Sequence, residues 1–215
     1  MKKYFMKKYF LLIPFTLISF FLHTQELSFT NHITISSGSD GYGRPRVALI
    51  NDNDPVIIFR KNTVPKTIKM ARWNGVDFDS AYDITNIGVN PSSQDGPEIA
   101  VKGDTVYIVF SSSATNYSSI MMIRSFDGGI SFSDTIRVSE NSPQQICRMG
   151  NIAIDKYGHP VVSYMKYSLN FSNPQQMVRT SNDYGSTFNM AVEASLNASS
   201  EPCECCKSSL IVNDE

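Results

Sequence analysis

Three of the four cysteines stand together in Cys203-Glu204-Cys205-Cys206, and the fourth is Cys147. Thiolates this close can hold a soft metal ion. In an oxidising compartment the same four can instead form two disulfides, with Cys147 paired to one of the cluster. Neither the chemistry nor the connectivity follows from spacing alone, and the four are taken first as disulfide candidates. A second set of residues is polar. Arg46, Glu98, Asn151 and Ser209 recur at matching places before short apolar runs, with Arg44, Asp95 and Arg148 close by in sequence. Guanidinium, carboxylate, amide and hydroxyl together make the donor and acceptor set that a saccharide or other polar ligand needs. His23, His32 and His159 have no triad or metal spacing, and neither G-x-S-x-G nor a phosphate-binding loop occurs. No cofactor and no dedicated metal centre is expected.

Positioning these side chains requires strands. Val47-Ala48-Leu49-Ile50, Ile99-Ala100-Val101, Ile152-Ala153-Ile154 and Leu210-Ile211-Val212 are short β-branched runs, and aligning Ala48, Ala100, Ala153 and Ile211 gives spacings of 52, 53 and 58. Each of the first three is followed by a turn and a second strand: 55–60, 105–110 and 160–164. A third strand is expected at 66–72, 119–124 and 176–180, and a fourth near 133–138. Four strands recurring at this period predict an all-β fold of four-stranded antiparallel sheets, each one blade of a propeller. Alternation along the first strand of each repeat predicts two faces. Val47, Leu49, Ile99, Val101, Ile152, Ile154, Leu210 and Val212 should pack between blades. The opposite parity, Arg46-Ala48, Glu98-Ala100, Asn151-Ala153 and Ser209-Ile211, should face a central channel, its polar members ringing one mouth. Arg44, Asp95, Arg148 and the cysteine cluster should lie in loops feeding that mouth.

An octapeptide is also used twice. Ser125-Phe126-Asp127-Gly128-Gly129-Ile130-Ser131-Phe132 and Ser181-Asn182-Asp183-Tyr184-Gly185-Ser186-Thr187-Phe188 share S-x-D-x-G-x-[ST]-F, with aspartates 56 residues apart. Asp accepting from backbone N–H groups, Gly supplying an unusual backbone conformation and Phe packing back onto the sheet describe a hairpin-turn device. Ala71-Arg72-Trp73-Asn74-Gly75-Val76-Asp77-Phe78 is a degenerate third copy that keeps the Gly and the aromatic. The motif resembles the Asp-box (BNR) repeat of sialidase-like β-propellers, over residues 40–215. That resemblance implies six blades in a full ring, of which the chain would supply blades near 43–93, 94–146 and 147–204 and the start of a fourth at 205–215. A fragment of a longer protein is therefore expected, or self-association if the chain is truly this short. Enzymes of the family are retaining glycosidases of exo-α-sialidase type. They grip a substrate carboxylate with three arginines and use a Tyr nucleophile, a Glu and an Asp acid/base. By the resemblance, Arg46 (or Arg44) and Arg60 are the candidate carboxylate arginines. R-I-P is absent, however, and the loop 61–66 where the acid should stand carries no carboxylate. The expected function is a glycan- or protein-binding module, with an exo-sialidase or related glycoside hydrolase and a structural adhesin repeat as alternatives.

Composition sets outer bounds. A net charge of −1 with 18% charged residues gives no reason to expect nucleic acid as a partner. Lys2, Lys3, Lys7 and Lys8 precede an apolar run from Tyr9 to Leu22, which predicts a secretory signal peptide over 1–24 and a secreted or cell-surface protein. That run is too short for a stable span, so none is expected after signal cleavage. Residues 25–42 should be a lead-in strand or loop, and the partial propeller should occupy 43–215. Asn116, Asn170 and Asn197 stand in N-x-S sequons, which matter only in a eukaryotic secretory pathway. The partner expected is a glycan or glycoprotein.

Overall fold

A computed structural model describes residues 32–36, 41–90, 92, 94–113, 118–142 and 144–213. The expected signal peptide, most of the lead-in and the Asn116 sequon lie outside the described residues. The elements below all belong to the unit Ile33–Glu215.

Asn51 and Asp52 both take positive φ (50° and 59°), and Asn53 N–H donates to the Ile50 carbonyl. A tight hairpin of this hand matches the twist of its strands, and so joins β1 (Gly43–Ile50) to β2 (Asp54–Arg60). The chain continues into β3 (Ile68–Arg72) and β4 (Tyr82–Asp83), completing an antiparallel sheet ordered β1-β2-β3-β4. The same meander recurs as β5 (Glu98–Lys102), β6 (Thr105–Ser111), β7 (Ile120–Ser125) and β8 (Ile136–Arg137). It recurs again as β9 (Gln145–Ile154), β10 (Pro160–Ser168), β11 (Gln175–Thr180) and β12 (Val192–Glu193). Sheets I, II and III thus match the expected repeats, and no helix occurs among the described residues. Two expectations need correction. Each fourth strand shrinks to two residues, and the run 208–213 forms no strand. The β9–β10 ladder is longer than expected because a bulge at Met149 (φ 58°) interrupts the alternation that would mark 145–148 as strand.

Two apolar cores lie between successive sheets. Ile50, Val56, Ile58, Ile68 and Met70 of sheet I pack with Val106, Ile108, Phe110 and Ile123 of sheet II. Tyr107, Val109, Ile120 and Met122 pack with Ile152, Val162, Tyr164 and Met177 of sheet III. The inner strands therefore use both faces. Ala48 joins the first core, as do Ile99 and Val101, while Ala100 joins the second with Ile154. The expected division into a packed face and a channel face is wrong. The Ile/Val parity faces the preceding sheet, and the alanine parity faces the following one. Val47 and Leu49, expected to be packed, are 66% and 49% exposed, since no described sheet precedes them.

The octapeptides fasten these layers. Asp127 Oδ1 accepts from Ser125 Oγ at 2.6 Å and from Ile130 and Ser131 N–H at 3.0 Å, while Ser131 Oγ donates to Oδ2 at 2.5 Å. Asp183 repeats the scheme with Ser181 Oγ at 2.7 Å, Thr187 N–H at 2.9 Å and Thr187 Oγ1 at 2.6 Å. The following glycines, Gly129 and Gly185, both have φ of 79°. A Cβ at Gly129 would lie 2.9 Å from Met70 Cε of sheet I, and one at Gly185 would lie 2.4 Å from Met122 Cε of sheet II. Each turn thus lies against the sheet before it. Tyr82 Oη donates to the Gly129 carbonyl at 2.6 Å, and Arg124 Nη1 donates to the Tyr184 carbonyl at 2.6 Å, stitching the same junctions. In the degenerate copy Asn74 Oδ1 accepts from Val76 and Asp77 N–H, doing the aspartate's work, while Trp73 meets Phe78 edge-on. Phe132 packs against the first core and Phe188 against the second.

Candidate functional site

The polar cluster forms along β1 and β9 and at the start of β5. Arg46 is in β1, and its side chain crosses to the next inner strand, where Nε donates to Glu98 at 2.7 Å and Nη2 pairs with Glu98 Oε1 at 2.6 Å. One repeat further, Asn151 Nδ2 donates to the Ser208 carbonyl at 2.7 Å. Entrance residues therefore reach forward to the following repeat rather than inward. Glu98 is bound twice over, because Lys207 Nζ approaches Oε1 to 2.6 Å and donates to the Gly96 carbonyl. Burial opposes the charge of Glu98, but hydrogen bonds and charge from Arg46 and Lys207 prevail and hold its carboxyl below the usual range. Burial lowers the Lys207 ammonium, with Glu98 opposing. The Arg46 guanidinium is raised further, chiefly by its bond to Glu98.

Arg44 and Arg148 are strand residues, not loop residues as expected. Arg44 takes φ of 57° and lies against Gly96, where a Cβ would come within 2.6 Å of the arginine's own Cβ. Only a glycine at 96 leaves that room. Arg148 Nε stands 3.4 Å from Asp95 Oδ2, and its guanidinium lies 5.7 Å from the Phe171 ring centre. Asp95 Oδ1 and Arg148 Nη2 are buried without a hydrogen-bond partner. Arg60 is only 4% exposed, and its Nη1 donates to the carbonyls of Asn90, Ser92 and Asp95 at 2.8–2.9 Å while Nε serves Asn62. Its donors hold the loop before β5. Ser209 is exposed, and its neighbour Ser208 makes the contacts, including one with Ser163.

The cysteines divide. Cys147 sits in the second core, and burial pushes its thiol up to about 11. Cys203, Cys205 and Cys206 are exposed, and their sulfurs lie within 4.8 Å of one another. All four are free thiols, and Cys147 lies in the core rather than beside the cluster. The loop is anchored from below, since buried Tyr167 donates to the Glu204 carbonyl at 2.6 Å. Behind it an open cleft of about 470 Å³ is lined by Lys166, Tyr167, Gln175, Glu193 and Glu201 among others, with none of the arginines.

Lys207 and Tyr167 were missed from the sequence. Lys207 had a signal: it stands four residues before Ile211, as Arg44 stands before Ala48, so the repeat register places it. Tyr167 had none, because it lies in a strand extension hidden by the bulge.

Five cations (Arg44, Arg46, Arg60, Arg148 and Lys207) thus gather about Asp95 and Glu98, with Glu204 of the cysteine loop nearby, leaving a local excess of positive charge. Such a cluster makes the local potential favourable to an anionic group.

No protein-family model matches the sequence, and no curated protein matches it. Solved structures do. The chain superposes on a Hadza microbial sialidase with a TM-score of 0.52 at 16% identity, over 68% of this chain and 36% of that one. A protein of unknown function from Dyadobacter fermentans gives 0.54 at 12% identity, over 74% and 52%. An ulvan lyase bound to -[GlcA(1-4)Rha3S]- gives 0.51 at 10% identity, over 69% and 42%. This chain shares their β fold. It spans between about a third and a half of the length of these structures.

Proposed function

We propose that the chain is an arc of an exported, sialidase-like Asp-box β-propeller whose cationic cluster beside the inner strands binds an acidic glycan. The observation that carries this reading is the excess of arginine and lysine over carboxylate where the three inner strands begin. A uronate, sialyl carboxylate or sulfate would be drawn by the charge of the cluster, of which the Arg46 side chain is the partly exposed member, while sugar hydroxyls would meet the Asn151 and Ser208 edge. The arc itself is supported by three successive meanders, the second and third each packed on the one before through an octapeptide turn. Export is supported by the basic and apolar pattern of the first 24 residues.

Binding without turnover is favoured over hydrolysis. The segment 61–66 following Arg60 has no carboxylate, and Arg60 is committed to backbone carbonyls. A general acid is commonly worth about 10² to 10⁴ in rate. The two carboxylates of the cluster are both engaged by cations, which suits them to hold arginines in place rather than to donate protons.

A panel of acidic and neutral oligosaccharides, scored in parallel for binding and for release of product, tests the reading. Retention of acidic members without turnover is expected. Turnover of a fluorogenic sialoside would move the assignment to the exo-sialidase alternative. Failure to retain any member would leave the structural adhesin repeat.

A further inference from the structure

We propose that Cys203, Cys205 and Cys206 form a three-thiolate site for a monovalent copper ion. The inference is independent of the glycan reading. Three sulfurs bound trigonally at about 2.3 Å from a metal stand about 4 Å apart. Here all three lie within 4.8 Å, with Cys203 Sγ at 3.3 Å from Cys205 Sγ and 2.7 Å from Cys206 Sγ. Small rotations about the Cα–Cβ bonds suffice to open the set around an ion. No histidine or carboxylate joins the group among the described residues, so the donor set is sulfur alone and three in number. Soft thiolate ligands select copper(I) or zinc(II). Zinc strongly prefers four ligands in a structural site, whereas a d¹⁰ monovalent ion is satisfied by three sulfurs.

The loop is built to present these thiols. The Tyr167 hydroxyl, at the end of a buried ring, holds the Glu204 carbonyl, and Lys207 is tied to Glu98 and the Gly96 carbonyl directly after the last cysteine. Cys206 N–H donates to the Cys203 carbonyl at 3.4 Å, closing the turn. With its backbone held at Glu204 and the Lys207 side chain anchored beyond, the loop turns its three sulfurs to solvent, open to an incoming ion. Binding displaces the thiol protons to solvent and leaves the copper oxidation state unchanged.

The test uses the full chain, reduced under anaerobic conditions and titrated with copper(I) against a chromogenic copper(I) chelator. One ion per chain is expected. Cys203→Ser, Cys205→Ser and Cys206→Ser should each weaken binding about 100-fold or more, and Cys147→Ser should leave it unchanged. Tyr167→Phe should weaken it about 10-fold by loosening the loop, as loss of an outer-shell partner does. Zinc(II) at equal concentration should not displace the copper. Failure of the reduced chain to compete with the chelator, or indifference to Cys205→Ser, would overturn the proposal. So would a disulfide within the cluster in protein isolated without reductant and free of copper.

Discussion

Asp183 and Asp127 do their work as anions. Thr187 and Ser181 donate to Asp183 and hold its carboxyl down at about 2, and Ser125 and Ser131 hold Asp127 lower still. A carboxyl depressed by folding adds stability that is fully present above its ordinary value near 4 and is lost as pH falls through the folded value. The wild-type melting temperature should therefore drop between about pH 4 and pH 2. Asp183→Asn should flatten that drop while lowering the melting temperature at pH 7 by about 2–4 °C. An unaltered acid limb in the variant would mean that the turn does not need the charge. Arg60 makes a different prediction. Three carbonyls depend on its Nη1, so Arg60→Ala should destabilise by about 3 kcal/mol. Arg60→Lys should not restore it, because a point ammonium cannot reproduce the planar fork. Equal stability of Arg60→Ala and wild type by urea titration would refute its role in holding the loop. Both aspartate turns were legible in sequence, because their chemistry is local and spans eight residues. The duty of Arg60 was not, because its partners lie 30 to 35 residues away.

At the level of elements, the glycine of each octapeptide is a contact point between sheets. Gly129 and Gly185 share a φ of 79°, so substitution strains both backbones alike. They differ in what a methyl would strike: Met70 Cε at 2.9 Å in one case, and Met122 Cε at 2.4 Å with Pro160 Cγ at 3.2 Å in the other. Gly185→Ala should therefore cost more than Gly129→Ala, by about 1 kcal/mol within the usual 1–3 kcal/mol range for overpacking. Equal losses in denaturant unfolding would show that the backbone term alone matters. The first three strands of each sheet were readable from period-2 alternation and turn residues. The facing of the inner strands was not. Alternation tells which residues share a face but not what lies opposite it. Ala48 and Ala100 read as channel residues until the neighbouring sheets were seen packed on them.

Over the whole molecule the net charge is −1, yet the cluster around Asp95 and Glu98 carries an excess of positive charge. The cations gather because β1 and β9 bring Arg44, Arg46 and Arg148 beside Asp95, Gly96 and Glu98. That segregation favours an anionic ligand and predicts association that weakens with salt, since partly exposed charges are screened within about 8–10 Å at moderate ionic strength. The repeat register hinted at the convergence by placing Arg44, Gly96 and Lys207 in equivalent positions. It could not show that Gly96 makes room for Arg44 or that Lys207 closes on Glu98.

Titration calorimetry of the full chain with an acidic oligosaccharide, in 50 and 300 mM salt, tests the central claim most directly, with Arg46→Ala as the comparison. Binding should weaken as salt rises, fall about tenfold or more in Arg46→Ala, and be absent for the neutral analogue of the same sugar. Equal affinity for the acidic and neutral sugars, or an Arg46→Ala variant that is folded and binds as well as wild type, would contradict it.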